Sequence, residues 1–383
     1  MDLTAEMIVG ALLRGHADEV EVVEVCPPFR RRFGRIPVAA GSKPGRIAAN
    51  ADRVANRYRD YPRHLRALAR REPLDVVHVV DQSYAQLALA APPGRTVVTC
   101  HDLDAFRCLL RPDLEPRSPA FRAMARRGLA GFRSAAAVAC VTETVRAQVE
   151  AAGLVDPGRL SVTHMGPDPG YFDPADAPSE AEADRLIGRA DPAGPPILLH
   201  VGSTIPRKRI DVLLDAFAAV RRSVPRARLV RVGGAFSPEQ RVRAESLGVL
   251  GAIEVVPFQE SRRVVAAIYR RASVVLLPSE AEGFGLPLVE AMACGAPIVA
   301  SDLPVLREVA GPAALYRPVG DAEAFASAAI EQVEGRRRDD PDWRARRDLG
   351  LARAETYRWE RHAAHLVGLY RAIASARPAP AVC

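Results

Sequence analysis

Two glutamates bracket a glycine-rich corner in the second half of the chain, in Ser279-Glu-Ala-Glu282-Gly-Phe-Gly-Leu-Pro-Leu-Val-Glu290-Ala-Met-Ala-Cys-Gly-Ala-Pro297. An apolar run ends at Pro278, a glycine loop follows, and Pro287 sits where a helix takes its first residue. The pattern predicts a strand, a tight loop and a helix start. At the carboxyl end of a parallel strand, the unmade N–H groups of such a corner can hold an anion. Gly283 and Gly285 let a ligand approach the backbone, and a carboxylate such as Glu290 can accept two neighbouring hydroxyls at once. Taken alone, Glu290 also simply suits the dipole of the helix it opens, and Gly-Phe-Gly is also an ordinary tight turn.

A second segment, Val201-Gly-Ser-Thr-Ile-Pro-Arg207-Lys208-Arg-Ile-Asp-Val-Leu-Leu-Asp-Ala-Phe217, places three cations after a glycine that ends an apolar run. Alone, Arg207-Lys208-Arg209 reads as a solvated basic turn. Its place after the glycine strand end favours an anion site instead.

Both segments, with Ala272-Ser-Val-Val-Leu-Leu-Pro-Ser279 and Gly295-Ala-Pro-Ile-Val-Ala-Ser301, resemble the large retaining glycosyltransferase family that includes glycogen synthase and bacterial mannosyltransferases, family 4 of the usual sequence classification. The resemblance covers residues 197–318 and centres on the pattern Glu-x7-Glu. It implies a GT-B fold of two doubly wound Rossmann-like domains, with a nucleotide-diphosphate sugar bound by the second and the acceptor mainly by the first. It also implies retention of anomeric configuration, with no metal and no cofactor beyond the nucleotide-sugar co-substrate. By position, Lys208 and Arg207 contact the donor diphosphate, Glu282 the donor sugar, and Glu290 the ribose hydroxyls. The amides of Gly283, Phe284, Gly285 and Leu286 meet the sugar and phosphates, and Gly202 and Ser203 line the same donor pocket. Many members carry Arg where this chain has Ser203, so the second phosphate-binding cation is expected at Arg207.

Breaking the anomeric bond builds positive charge on the sugar and negative charge on the departing diphosphate. Preorganised Lys, Arg and helix-start amides stabilise the second of these. In the first half, His101-Asp102-Leu-Asp104 follows an apolar run and resembles the family's His-Asp loop, from which His101 would face the donor sugar. A histidine after a strand is also commonly structural. Asp102-x-Asp104 spells a metal pattern of another glycosyltransferase fold, but three-residue patterns arise by chance and nothing else here resembles that fold. His164-Met-Gly-Pro-Asp168 lacks the Asn that the family often has at that turn.

Short β-branched runs alternating with amphipathic stretches predict the parallel sheets that must position these residues. Strands are expected at Val20–Val25, Asp75–Val80, Thr96–His101, Ala136–Val141 and Leu160–His164. In the second half they are expected at Ile197–Val201, Arg228–Val232, Ile253–Val256, Val274–Pro278, Pro297–Ala300 and Ala314–Tyr316. We divide the chain into a first domain over 1–170, a proline-interrupted linker over 171–195 and a nucleotide-sugar domain over 196–355. A C-terminal helix over 356–374 is expected to pack back on the first domain, ahead of a disordered tail at 375–383. The chain opens on a helix-like Thr4–Leu13, so the first domain lacks its usual first strand and glycine turn, as a truncated reading of a longer gene would.

The formal charge of +7 is uneven, since residues 27–133 hold 21 Lys/Arg against 9 Asp/Glu. Such a basic field attracts a phosphate-bearing or lipid-linked acceptor or an anionic membrane face, with Arg57–Arg71 as a docking helix; solvated helix faces explain it equally. No nucleic-acid partner is expected. Six cysteines without a Cys-x-x-Cys pair argue against a disulfide framework. No apolar run approaches the ~20 residues that cross a bilayer, and no signal-peptide pattern opens the chain. Cytoplasmic work in glycan, glycolipid or exopolysaccharide synthesis is therefore expected, peripheral to the inner membrane face. The alternatives are a non-catalytic nucleotide-sugar-binding protein, or an epimerase or phosphorylase on the same architecture.

Overall fold

The computed structural model describes residues 2–33, 43–189, 191 and 194–376. They form two compact units, Met1–His164 with His362–Cys383, and Met165–Arg361. The expected tail at 375–383 lies almost wholly outside the described residues.

The first unit holds a four-stranded parallel sheet in the order β1-β2-β3-β4, with β1 Val77–Val79, β2 Thr96–Cys100, β3 Ala137–Cys140 and β4 Leu160–Val162. The runs Thr-Val-Val-Thr-Cys and Ala-Val-Ala-Cys are apolar on both sides, as strands covered on both faces must be, and every residue of β2 and β3 is buried. The helix Pro119–Ser134 lies against the 3-10 helix Gln82–Ala90 so closely that a Cβ on Gly131 would stand 2.0 Å from the Ala85 carbonyl oxygen. Only glycine fits there.

Val20–Val25 is not a strand. Its β-branched valines favour a strand, but a strand needs a sheet edge to pair with. Here Val23 and Val25 are exposed instead. The chain beyond it is held by side chains: the buried Asn56 and Asp52 take the backbone of Arg30, Arg32 and Phe33 at 2.8–3.0 Å, and Asp60 holds the Arg32 guanidinium at 2.6 and 2.8 Å.

The second unit is a six-stranded parallel sheet in the order β10-β9-β8-β5-β6-β7. Its strands are β5 Ile197–Val201, β6 Arg228–Val232, β7 Ile253–Val256, β8 Val274–Leu277, β9 Ile298–Ser301 and β10 Ala314–Arg317. Successive connections run outward one way from β5 and the other way from β8. The two strands are neighbours, so their carboxyl ends flank the topological switch point where open α/β sheets bind ligands. Leu198, Leu213, Phe217, Leu276, Val299 and Phe325 join in one buried cluster beneath, each worth about 1.5–3 kcal/mol of burial.

The expected linker contains a helix, Ala177–Ile187, which belongs to this unit. Prolines break helix interiors, but Pro178 sits in the first turn, where a missing N–H costs nothing, and Asp176 caps the start through the Ser179 amide. Glu180 and Asp184 then bind Arg270 and Arg271 of the helix Arg262–Arg271. The C-terminal helix Trp359–Ser375 passes back into the first unit at His362, where Tyr370 meets His78 at 2.7 Å and His365 meets Ser161 at 2.8 Å. Among the described residues no helix is long and apolar enough to cross a membrane.

Among the histidines that burial holds neutral, His200 in the second unit is lowered to about 3 and His362 in the first to about 4. The unfolded chain takes up protons on both near pH 6.5, so the native state loses stability as pH falls below that value. Between pH 7.5 and pH 5 each histidine should cost about 2 kcal/mol. Urea unfolding at the two pH values checks this, and His200→Leu should reduce the difference by about that amount.

Candidate functional site

The loop after β5 turns at Gly202, whose φ of +150° favours glycine and whose amide binds the Val232 carbonyl at 3.0 Å. The chain then runs through a 3-10 turn at Pro206–Lys208 to Arg209, left-handed at φ +48°, and enters the helix Ile210–Ser223. Arg209 is held there by Asp211 at 2.8 Å. Across the switch point, the loop after β8 is stitched to this one by the Glu280 amide donating to the Arg207 carbonyl at 2.9 Å. The capped helix Pro238–Ser246 adds a third tie, Gln240 Nε2 donating to the Thr204 carbonyl at 3.2 Å.

This frame brings Lys208 and Glu282 together. Lys208 Nζ lies 2.6 Å from Glu282 Oε1, with side chains only 12% and 6% exposed. Arg207 approaches the other carboxylate oxygen at 3.5 Å and donates to the Ala281 carbonyl at 3.1 Å. A pair this enclosed persists only while both partners are present, because either charge alone would stand largely desolvated. Lys208 has three N–H donors, so binding Glu282 leaves others for an incoming anion.

Gly285 closes the corner at φ +87°, and a Cβ there would stand 2.8 Å from Leu306 Cδ2. No side chain caps the helix Leu286–Ala293 that follows, and Pro287 lies in its first turn. Of the first-turn positions, Pro287 has no N–H and the Leu288 amide donates to the Gly285 carbonyl at 2.9 Å. One turn in, Glu290 Oε2 accepts from the Tyr269 hydroxyl at 2.7 Å. Burial raises the Glu290 carboxyl above the ordinary carboxylate range, while Tyr269 and Arg262 draw it part of the way back. One of the oxygens expected to be open to a ribose is therefore already oriented by a protein hydroxyl.

Gly202, Ser203, Arg207, Lys208, Glu282, Gly283, Phe284, Gly285, Leu286 and Glu290 thus all fall on the two loops and one helix start at the β5–β8 switch point. Phe284 contributes its backbone there while its ring is buried edge-on against Tyr357, centroids 5.6 Å apart. His101 belongs to the first unit, at the end of β2. Its Nε2 lies 2.9 Å from the Val80 carbonyl, which can only accept, so that nitrogen carries the proton. Gln82 locks the loop, accepting from the His101 amide at 3.0 Å and donating to Asp102 at 2.9 Å. Asp102 also takes the Asp104 amide at 3.0 Å, and among the described residues no group of three His, Cys, Asp or Glu could hold a metal. Sequence reasoning missed Tyr269, Gln240 and Gln82. Of these only Gln240 left a signal, as the third helical residue after Ser237 in a capping box.

Two family models match the chain, one described as Glycosyltransferase Family 4 over residues 5–171 and one as Glycosyl transferases group 1 over residues 188–347. A D-inositol 3-phosphate glycosyltransferase from Segniliparus rotundus is 33% identical over 59% of this chain, which spans about half (51%) of that relative's length. The O-antigen chain mannosyltransferase B of Escherichia coli is 26% identical over 72% of this chain and 70% of its own. Among solved structures, HepE from Anabaena in complex with UDP and glucose aligns with a TM-score of 0.67 at 18% identity, covering 83% of this chain and 82% of that one. WaaG, a glycosyltransferase involved in lipopolysaccharide biosynthesis, aligns with a TM-score of 0.65 at 18% identity, covering 96% and 94%. The fold is therefore the two-domain Rossmann-like GT-B fold, and the chain belongs to the family 4-type glycosyltransferases.

Proposed function

We propose that the protein moves a sugar from a nucleotide-diphosphate sugar to an acceptor hydroxyl with retention of configuration and without a metal. The Lys208–Glu282 pair at the switch point carries this reading, because it sets a cation for the diphosphate beside a carboxylate for the sugar. The donor diphosphate lies along Gly202–Lys208 and the uncapped start of Leu286–Ala293, Glu282 accepts from a sugar hydroxyl, and Glu290 accepts from the ribose. The bond from the anomeric carbon to the diphosphate oxygen breaks, and its electron pair leaves with the phosphate. Lys208, with backbone amides of the corner, stabilises that growing charge. The acceptor oxygen bonds to the same face, where the departing phosphate oxygen is the nearest base for its proton.

The acceptor we assign to the phosphate-bearing class. The basic stretch at 27–133 supports this, as does the D-inositol 3-phosphate in the name of the Segniliparus relative. On the helix Tyr61–Ala69, Pro62 and Leu65 are buried while Arg63, Arg66 and the following Arg70 and Arg71 are exposed. That face suits an anionic lipid surface, so we place the work on the cytoplasmic side of a membrane, in glycan or glycolipid synthesis.

Lys208→Ala and Glu282→Ala should each lower kcat by on the order of 100- to 1000-fold. Glu290→Ala and Tyr269→Phe should chiefly raise the donor KM. A panel of UDP- and GDP-sugars with steady-state kinetics checks this, and undiminished transfer by Lys208→Ala would contradict the assignment. Vesicle sedimentation should show binding to anionic lipid that salt weakens; equal binding to neutral vesicles would rule the membrane face out.

A further inference from the structure

Among the described residues Arg231 is the largest fully buried side chain, yet no carboxylate among them pairs with it. It lies on β6 opposite His200 of β5, so both side chains leave the same face of the sheet. Its guanidinium donates to the Gly202 carbonyl at 2.8 Å and to the Gly234 carbonyl, and lies 5.4 Å from the Phe236 ring centre. Its Nε is buried without an acceptor, as is His200 Nδ1. Desolvation lowers Arg231 to about 10, which still leaves it charged at neutral pH. A buried, unpaired cation is a standing cost to the fold, so its position calls for an anion.

Its two acceptors show where that anion would lie. A trans peptide points its N–H opposite to its C=O, and the described residues contain no cis peptide. With the Gly202 and Gly234 carbonyls turned in toward Arg231, the amides of Ser203 and Ala235 are turned away from it, and among the described residues neither meets a backbone acceptor. The two turns are in contact, since a Cβ on Gly233 would stand 2.2 Å from the Gly202 oxygen. Lys208 belongs to the same place: its Cε lies 3.9 Å from where a Gly202 Cβ would be, and its charge acts on His200 together with that of Arg231.

We infer that Arg231 is a positioning residue of the donor-phosphate site: it aims the Ser203 and Ala235 amides at the diphosphate and supplies, from beneath, the second positive charge that Ser203 does not. Arg207, the expected source of that charge, is committed to Ala281 and Glu282. The inference rests on the nucleotide-sugar reading of this site.

The full chain, with Arg231→Met, Arg231→Gln and Arg231→Lys variants, would be titrated calorimetrically with UDP and GDP and with uridine and guanosine. If the wild type binds neither diphosphate, the nucleotide-sugar reading itself fails. If it does, the neutral variants should lose about 10- to 100-fold in affinity for the diphosphate and nothing for the nucleoside. That range corresponds to one or two tenfold steps at about 1.4 kcal/mol each. Arg231→Lys, which keeps the charge, should recover part of the loss. Without ligand, Arg231→Met should melt no lower than the wild type. Unchanged diphosphate affinity, or equal losses for diphosphate and nucleoside, would overturn the inference. If Arg231→Met fails to fold, Arg231→Gln, which keeps donors for one carbonyl, decides on the same comparison.

Discussion

An ion pair 2.6 Å long, between residues 74 apart in sequence, holds the second unit's site in one arrangement. Lys208 and Glu282 each come from a loop that no strand pairing fixes, and each is nearly enclosed. Enclosure makes the pair strong in the sense that matters here: removing Glu282 leaves the enclosed Lys208 charge without its counter-ion, at a cost of about 3–5 kcal/mol, whereas removing Lys208 leaves Glu282 only the Arg207 contact at 3.5 Å. The neighbouring devices serve this pair. The Glu280–Arg207 backbone bond fixes loop against loop, Gln240 fixes Thr204, and Gly285 lets Leu306 close behind the corner.

The same corner concentrates positive charge with little to offset it. Glu282 answers Lys208 and Arg207, while among the described residues no acid pairs with Arg231. A site that keeps cations dry and carbonyls turned inward is organised before any ligand arrives, and this preorganisation is what lets fixed dipoles stabilise a leaving group more effectively than water. Glu290 follows a related logic. Half-buried beside Tyr269, it keeps a fixed orientation through a protein hydroxyl.

The strands of the second sheet could be read from sequence because doubly covered parallel strands are continuous apolar runs, as in Ile197–Val201 and Val274–Leu277. The glycine corner was legible because φ values of +150° and +87° at Gly202 and Gly285 leave few other choices. Val20–Val25 misled because β-branching signals a strand only where a neighbour exists, and Pro178 misled because a proline at a helix start looks like one that breaks it. Tyr269 and Arg231 were invisible: one sits among the buried residues of an amphipathic helix, the other in a strand, and only the folded chain shows what they touch. One signal was available and unused. The chain has two lysines, Lys43 and Lys208, among 53 basic residues, so a lysine kept where arginine is the rule marks a position needing a compact ammonium.

That scarcity provides the most direct test. An amine-selective acylating reagent followed by peptide mass spectrometry reports on Lys208 with Lys43 as an internal reference. If the β5–β8 corner holds the donor diphosphate, a saturating nucleoside diphosphate that the protein binds should slow acylation of Lys208 at least tenfold and leave Lys43 unchanged, as expected when a bound group covers the amine at occupancy above about 90%. Equal acylation of Lys208 with and without the bound nucleotide would contradict the account.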